Sequence, residues 1–358
     1  MQINSLESTI VIGENLAETV KNTVKKCTPN SIFVVVDDQT RIHCLPLFDE
    51  IDEVADSKVI VIPSGEENKN IESVAKIWEF LSRNGADRKS LLIIIGGGML
   101  TDLAGFAASS FKRGISFINI PTTLLSQVDA SIGGKIGINF KSYKNEIGLF
   151  KTADFVIIDT TFLKTLNQEN ILSGFAEMVK HALIYSQSHW NVIKGLNPHI
   201  ETIDFEKFAG IISQSLLIKN DVVQKDPTEK GLRKSLNFGH TVGHAIESWC
   251  MDKKDPVLHG IAVAYGMICE LWLSNKKTNF DKSKLTDIVT YIRKIFGYKP
   301  IPKDAYPQLF ELMTHDKKNE NKQINFTLLS DIGAVELNCI CTESEIFESL
   351  DYYNSNKS

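Results

Sequence analysis

The chain has 358 residues, 43% of them hydrophobic and 23% charged, and carries a formal net charge of −5. That length exceeds one ordinary core and points to two domains of a globular protein. A net negative charge offers no broad attraction for nucleic acid, so any anion site has to be a local cluster of cations. In chain order, strands are predicted at 9–13 (TIVIG), 31–38 (SIFVVVDD), 58–63 (KVIVIP), 89–98 (KSLLIIIGGG), 117–123 (FINIPTT) and 154–160 (DFVIIDT), with the helix IESVAKIWEFLSRNGA after the third. Such near-continuous apolar strands alternating with helices predict a parallel sheet buried on both faces.

Beyond about residue 165 the apolar spacing becomes helical, in ILSGFAEMVKHALIYS, FEKFAGIISQSLLIKNDVVQ, FGHTVGHAIESW, GIAVAYGMICELWLSN and LTDIVTYIRKIF. One strand pair is predicted within 324–338. The reading is therefore an α/β domain at 1–165 and a mainly α-helical domain at 166–358. No apolar run reaches membrane-spanning length, and the opening MQINSLESTIVIGENL lacks the basic-then-apolar pattern of a signal peptide. The six cysteines (Cys27, Cys44, Cys250, Cys269, Cys339 and Cys341) show no CxxC pair and no disulfide-framework spacing. Cys339 and Cys341 share one face of a strand and suit either a metal role or, as the simpler expectation, two buried thiols, and the overall pattern is in keeping with a reducing cytoplasm.

The first chemical signal is IIIGGGMLTDLAGF. A buried strand ends in Gly96, Gly97 and Gly98, with a helix expected from about Thr101. Missing Cβ atoms let backbone approach a pyrophosphate, and a helix N-terminus offers free N–H groups. The spacing is not GxGxxG, and a plain tight turn also fits. Asp38, ending the second strand, suits a ribose or a helix cap. Glu66 and Lys69 follow the third strand and could extend a nucleotide cleft. In IPTTLLSQVDASIGGKIGIN, Thr122 and Thr123 lie at the carboxyl end of a strand, where open α/β sheets bind ligands. Gly133 and Gly134 would turn the chain and bring Lys135 toward an anion, and Asp129 stands in an unusually apolar setting.

The strongest signal is RKSLNFGHTVGHAIE followed by LHG. His240 and His244 are four residues apart, on one helix face, and His259 opens the next helix. Glu177 lies on the mostly apolar face of GFAEMVKHALI. A carboxylate with two imidazoles and one open position suits a catalytic divalent metal such as zinc. Which two histidines bind is left open by spacing alone, and His181, one turn from Glu177, is a further candidate or a packing residue. Lys180, Lys219, Arg233 and Asn237 could add a basic pocket for a small, multiply anionic substrate, Arg233 and Asn237 lying one turn apart if their helix begins early.

Together GGGMLTDLAGF, KRGISFINIPTTLLSQVDASIGGK, KNEIGLF, SGFAEMVKHALI, EKGLRKSLNFGHTVGHAIES and HGIAVAYGM resemble, in order and spacing, the motifs of the 3-dehydroquinate synthase family of sugar-phosphate cyclases, from about residue 30 to about 330. The resemblance implies a dehydroquinate synthase-like fold: a Rossmann-like NAD domain followed by a helical metal- and substrate-binding domain. It implies NAD, Zn2+ or Co2+, a homodimer and a sugar-phosphate substrate. It assigns the metal to Glu177, His240 and His259, leaving His244 for proton transfer or phosphate contact. Onto the substrate site it maps Asp129, Lys135, Lys144, Asn145, Lys180, Lys219, Arg233 and Asn237. Arg113 would reach the phosphate of the partner subunit, and one of Lys317 and Lys318, after Asp316, would hold an anion. NAD contacts carried over are Asp38, Glu66, Lys69, Gly97, Gly98, Asp102, Thr122, Thr123, Phe162 and Thr165.

Two stretches depart. After DTTFLKTL the family continues with proline and an acid-arginine-acid run, whereas this chain has NQENILSG, so an expected acid falls on Asn170 beside Glu169. His181 stands where the family often has an aromatic residue. The implied reaction turns 3-deoxy-D-arabino-heptulosonate 7-phosphate into 3-dehydroquinate and phosphate, NAD being reduced and then reoxidised. The alternatives are a sister cyclase of a sedoheptulose or glucose phosphate, a polyol dehydrogenase of related architecture, and a non-catalytic NAD-binding protein.

Overall fold

Aliphatic runs with a residue on each face need cover on both sides, and in this chain they receive it. A computed structural model describes residues 1–13, 15–141, 143–314 and 324–355. They fall into two units, Met1–Leu166 with Asp204–Pro227 and Asn167–Ile203 with Thr228–Ser358.

The first unit carries the strands β1 (Gln2–Ser5), β2 (Ser8–Ile12), β3 (Ile32–Asp37), β4 (Lys58–Ile62), β5 (Leu91–Gly96), β6 (Ser116–Pro121), β7 (Lys135–Phe140), β8 (Tyr143–Phe150) and β9 (Phe155–Ile158). Its helices include α1 (Leu16–Cys27), α2 (Asp38–His43), α3 (Asp52–Ala55), α4 (Ile71–Arg83) and α5 (Gly98–Ser110). Seven strands form one sheet in the order β1-β2-β9-β6-β5-β3-β4, parallel except for the β1–β2 pair. Alternate residues face opposite layers. Phe33, Val35, Leu92, Ile94 and Phe117 join one apolar cluster with Ile77 of α4 and Leu103 of α5, while Val34, Val36, Ile93, Ile95 and Ile118 join another with Val20 of α1 and Phe48. Leu91 to Ile95 are all 0% exposed. Burying each such side chain contributes roughly 1.5–3 kcal/mol, which makes β5 the anchor of the sheet. The strand following β3 lies on one side of it and β5 on the other, so the order reverses between β3 and β5. Ligands of open parallel sheets settle at such a switch point, beyond the carboxyl ends of the strands.

The predicted strands are all present. The strand β1 and the β7–β8 hairpin are additional. In that hairpin Gly137 pairs with Gly148, and a Cβ on either would stand 2.6 Å from a carbonyl oxygen of the other strand. Gly133 and Gly134, at φ +97° and +68°, turn the chain into β7 as expected. The helix after the glycines begins at Gly98, earlier than the predicted Thr101, with Gly97 as its cap.

In the remaining chain, α6 (Gln168–Tyr185), α7 (Gln187–Lys194), α8 (Phe205–Lys225), α9 (His240–Asp252), α10 (His259–Lys277), α11 (Lys282–Phe296), α12 (Tyr306–Thr314) and α13 (Glu343–Ser355) follow, with one antiparallel pair, β10 (Asn325–Asp331) and β11 (Ala334–Ile340). Of these, α8 belongs to the first unit, where Leu216 enters the α5-side cluster. A boundary near 165 groups α8 with the helical half, because periodicity reports a helix and not what the helix packs against.

The helical unit is built around α10, which packs on α6, α9, α11 and α13. Glycines let its backbone touch its neighbours. A Cβ on Gly260 would lie 1.8 Å from the Ser173 carbonyl of α6, and one on Gly266 would lie 2.1 Å from the Gly239 carbonyl and 2.6 Å from the Gly243 nitrogen. No side chain fits at either position.

Candidate active site

The close glycine contacts bring three histidines to one place. His240 is the first residue of α9, His244 lies one turn on, and His259 is the first residue of α10. Their rings lie 5.2–5.5 Å apart, centre to centre. Glu177, fully buried on α6, points its Oε1 at the same place, 3.5 Å from His240 Nε2 and 3.7 Å from His259 Nε2. The other ring nitrogens are spoken for: His240 Nδ1 lies 3.1 Å from the Phe238 carbonyl and His259 Nδ1 lies 3.2 Å from Glu247 Oε2. A carbonyl or carboxylate oxygen can only accept, so each Nδ1 carries a proton, and in the neutral ring each Nε2 is left with a lone pair for a metal.

Lone pairs from two imidazoles and a carboxylate therefore face one another. Glu177 Oε1 accepts no hydrogen bond among the described residues. Buried acceptors turned on each other repel unless a cation lies among them. Ligand atoms about 2.0–2.1 Å from a tetrahedral zinc stand roughly 3.3–3.4 Å apart, close to the 3.5 and 3.7 Å seen here. The Phe238 carbonyl and Glu247 act as the outer partners that fix tautomer and ring angle. A divalent metal fits these residues. Lys180, 1% exposed, donates to the other Glu177 oxygen and balances its charge.

Arg233 is 2% exposed and shares a short 3-10 turn, Leu232–Asn237, with Asn237. The early helix start that would stack them one α-turn apart does not occur, since Gly239 at φ +80° breaks the chain before α9. Asn237 donates to Glu229 Oε1 at 2.9 Å, and Glu229 itself is held at φ +60°. His181, buried at 0% exposure, lies in the same helix as Glu177.

In the first unit the nucleotide-type residues cluster at the switch point. Asp38 opens α2 directly after β3, and its Oδ1 accepts from the Ser64 N–H at 3.1 Å. Hydrogen bonding from Ser64 holds the Asp38 carboxyl below its ordinary range. Gly97 and Gly98 lie where β5 passes into α5. A Cβ on Gly97 would stand 3.0 Å from Thr123 Cγ2, and one on Gly98 would stand 2.9 Å from the Ala130 Cβ. Thr122 is buried beside Gly96, its N–H on that carbonyl.

Lys69, 4% exposed, donates to Asp102 Oδ2 at 2.6 Å and to Asn145 Oδ1 at 2.5 Å. Burial raises the Asp102 carboxyl, and the Lys69 ammonium pulls against that rise. Asn139 ties the group together: its Nδ2 donates to Glu66 Oε1 at 2.9 Å and its Oδ1 accepts from the Asn145 N–H at 2.8 Å. Asp129 lies in a π-helical turn, Ser126–Ala130, 2.9 Å from Lys219 Nζ, which also donates to its carbonyl. Such turns favour functional positions.

Lys135 is exposed and Lys144 partly so. Phe162 is 0% exposed and its ring stacks on Phe48, so only its backbone could meet a nucleotide; Thr165 donates to its carbonyl. Asn170 hydrogen-bonds the Asn167 cap at the start of α6. Arg113 is exposed on a turn where Lys112, Arg113 and Gly114 all have positive φ. Asp316, Lys317 and Lys318 lie outside the described residues.

Sequence reasoning missed Glu247, Asn139 and Glu229. Glu247 was findable, since it follows His240 by two helical turns on the same face. Asn139 and Glu229 leave no such trace, because their partners are remote or set by an irregular backbone.

A parallel sheet with a glycine turn at its switch point, joined to a helical unit bearing a buried acid and two imidazoles, is a dehydroquinate synthase-like architecture. Solved structures share it at whole-chain scale. A 2-epi-5-epi-valiolone synthase of Streptomyces hygroscopicus, with NAD+ and Zn2+ bound, superposes with TM-score 0.85 at 23% identity over 99% of this chain and 98% of its own. A 2-deoxy-scyllo-inosose synthase complexed with carbaglucose-6-phosphate, NAD+ and Co2+ gives 0.82 at 24% identity over 98% of both chains. These likenesses speak for the fold.

Sequence similarity carries further. Residues 59–173 match the family described as 3-dehydroquinate synthase N-terminal and residues 174–319 the one described as 3-dehydroquinate synthase C-terminal. A 3-dehydroquinate synthase of Parabacteroides distasonis is 44% identical over 97% of this chain and 98% of its own length, and one of Clostridium tetani is 36% identical over 90% and 85%. The chain belongs to the 3-dehydroquinate synthase family.

Proposed function

We infer that this chain converts 3-deoxy-D-arabino-heptulosonate 7-phosphate to 3-dehydroquinate and phosphate, as an NAD- and metal-dependent, phosphate-eliminating lyase of the shikimate route to aromatic amino acids. The observation that carries it is the likeness to relatives named 3-dehydroquinate synthase along nearly the whole chain, with an acid-and-imidazole donor set still in place. When bound, NAD supplies a reversible hydride acceptor and a divalent metal polarises the substrate hydroxyls.

The residues have distinct tasks. Glu177, His240 and His259 hold the metal. Asp38, Glu66, Lys69, Gly97, Gly98, Asp102, Thr122, Thr123, Phe162 and Thr165 hold NAD, the glycines by letting backbone come close. Lys135, Lys144, Asn145, Lys180, Lys219, Arg233 and Asn237 hold the substrate through its carboxylate, phosphate and hydroxyls, with Asp129 setting the ammonium of Lys219. His244 moves a proton at an imidazole nitrogen. Paired cations on each anion fix orientation and offset charge in a water-poor setting, where electrostatic preorganisation is worth several kcal/mol.

Two finer statements belong to the same reading. The protein works as a homodimer in which Arg113 reaches the phosphate in the partner subunit. Support comes from the β7–β8 hairpin, a two-stranded sheet whose Phe140, Ile147, Leu149 and Phe150 are 39–60% exposed. Light scattering on Leu149→Lys should then report a smaller species than the parent. The protein acts in the cytoplasm, in line with six free cysteines and with no described helix long and apolar enough to cross a membrane.

The deciding experiment is phosphate release from the heptulosonate phosphate, with and without NAD and a chelator. Phosphate should appear only when both NAD and metal are present, and with no lasting NADH absorbance. Accumulating NADH without phosphate would make the chain a dehydrogenase.

A further inference from the structure

We propose that Glu270 is a positioning residue for the metal centre: a buried carboxylate on α10 that closes the open end of α9 and so holds His240 in its ligating orientation. This rests on the reading of His240 as a ligand.

The first N–H groups of a helix lack partners within it. In α9 they are also buried, Thr241 at 3% and Val242 at 0% exposure. A Ser, Thr, Asp or Asn before the helix would ordinarily cap them. Here the cap position is Gly239, at φ +80°, with no side chain to offer. None could be added: a Cβ there would stand 2.5 Å from Met267 Cγ and 3.0 Å from the Val263 carbonyl. The close packing that brings His240 to His259 thus forbids a local cap.

Glu270 supplies the cap from the neighbouring helix. Its Oε2 accepts from the Gly239 N–H at 2.6 Å, and its Oε1 accepts from Thr241 at 3.0 Å and Val242 at 3.2 Å. The side chain is 0% exposed. The clamped segment includes the backbone on both sides of His240 and adjoins Phe238, whose carbonyl selects the His240 tautomer. A second effect is electrostatic. The helix N-terminus carries a partial positive charge that disfavours a cation beside its first residue. A full negative charge at Glu270 reverses that local sign and favours a divalent ion at His240.

The test is zinc affinity, measured by chelator competition on the full chain and on Glu270→Gln. Glutamine keeps one acceptor oxygen, loses the charge and turns an NH2 toward N–H donors. The expected result is a zinc affinity about 10–100-fold weaker, the range for loss of an outer-shell partner, with NAD affinity within about twofold of the parent. A folded Glu270→Gln protein with parental zinc affinity overturns the proposal, even if its metal-free form melts at a lower temperature. Should that variant fail to fold, amide exchange in the metal-free parent decides. Thr241 and Val242 amides as slow as the α9 interior uphold the clamp, and amides as fast as an uncapped helix end overturn it. His240→Ala, run in parallel, separates the two claims. Zinc affinity lost there but unchanged in Glu270→Gln sinks the clamp alone, whereas affinity unchanged in His240→Ala sinks the ligand assignment and the clamp with it.

Discussion

In the helical unit, Glu177, His240 and His259 present side-chain lone pairs to a common point, while at the switch point of the sheet unit the chain presents backbone around Gly97 and Gly98. The first arrangement depends on particular side chains and on an outer layer that orients them, Glu247 and the Phe238 carbonyl among it. The second depends on the absence of side chains, since a Cβ at Gly97 or Gly98 would meet Thr123 or Ala130 at 3.0 or 2.9 Å. The two places should therefore fail differently: one by losing a donor, the other by gaining an atom.

The largest expected effect is on the side-chain site. His240→Ala should remove bound metal and lower turnover by roughly a thousandfold or more, as losing several kcal/mol of charge stabilisation implies; elemental analysis alongside a phosphate assay checks it. An active, metal-free variant would break the contrast at its root. Next comes Gly260→Ala, whose Cβ would fall 1.8 Å from the Ser173 carbonyl. Overpacking between helix backbones should cost roughly 1–3 kcal/mol or more, read as a lower urea midpoint, and a neutral result would show that α10 is free to shift. Glu247→Gln should leave the fold intact and weaken metal affinity roughly 10–100-fold, measured by chelator competition. The smallest effect is at the backbone site. Gly98→Ala adds one methyl 2.9 Å from the Ala130 Cβ at the first residue of α5, so stability should fall by only about 1 kcal/mol. NAD affinity, followed by fluorescence titration, should still fall roughly tenfold, the loss of about 1.4 kcal/mol. Unchanged NAD affinity would remove the backbone half of the comparison.

Legibility differed between the same two regions. The sheet was readable strand by strand because burial on both faces leaves uninterrupted aliphatic runs, as in Leu91–Ile95. The hairpin at Lys135–Phe150 was not, because its pairing depends on facing glycines and its apolar residues stay exposed. The histidines were visible as candidates, but spacing alone could not say which of them share an acid. Lys219 is an extreme case: it lies on α8, in a stretch with ordinary helical periodicity, yet packs with Asp129 of the sheet unit.

Chain chemistry by itself settled the class of each element, the glycine turn after a buried strand, and the supply of acid and imidazole donors, because periodicity and residue type are local properties. Tertiary structure alone decided that Glu177, His240 and His259 converge, that Glu247 and Glu270 stand behind them, and that α8 belongs with the sheet. The convergence depends on how closely the backbones of α6, α9 and α10 approach, set by which glycines face which carbonyls far apart in the chain, whereas α8 is held by Leu216 in the sheet's apolar cluster and by Lys219 on Asp129.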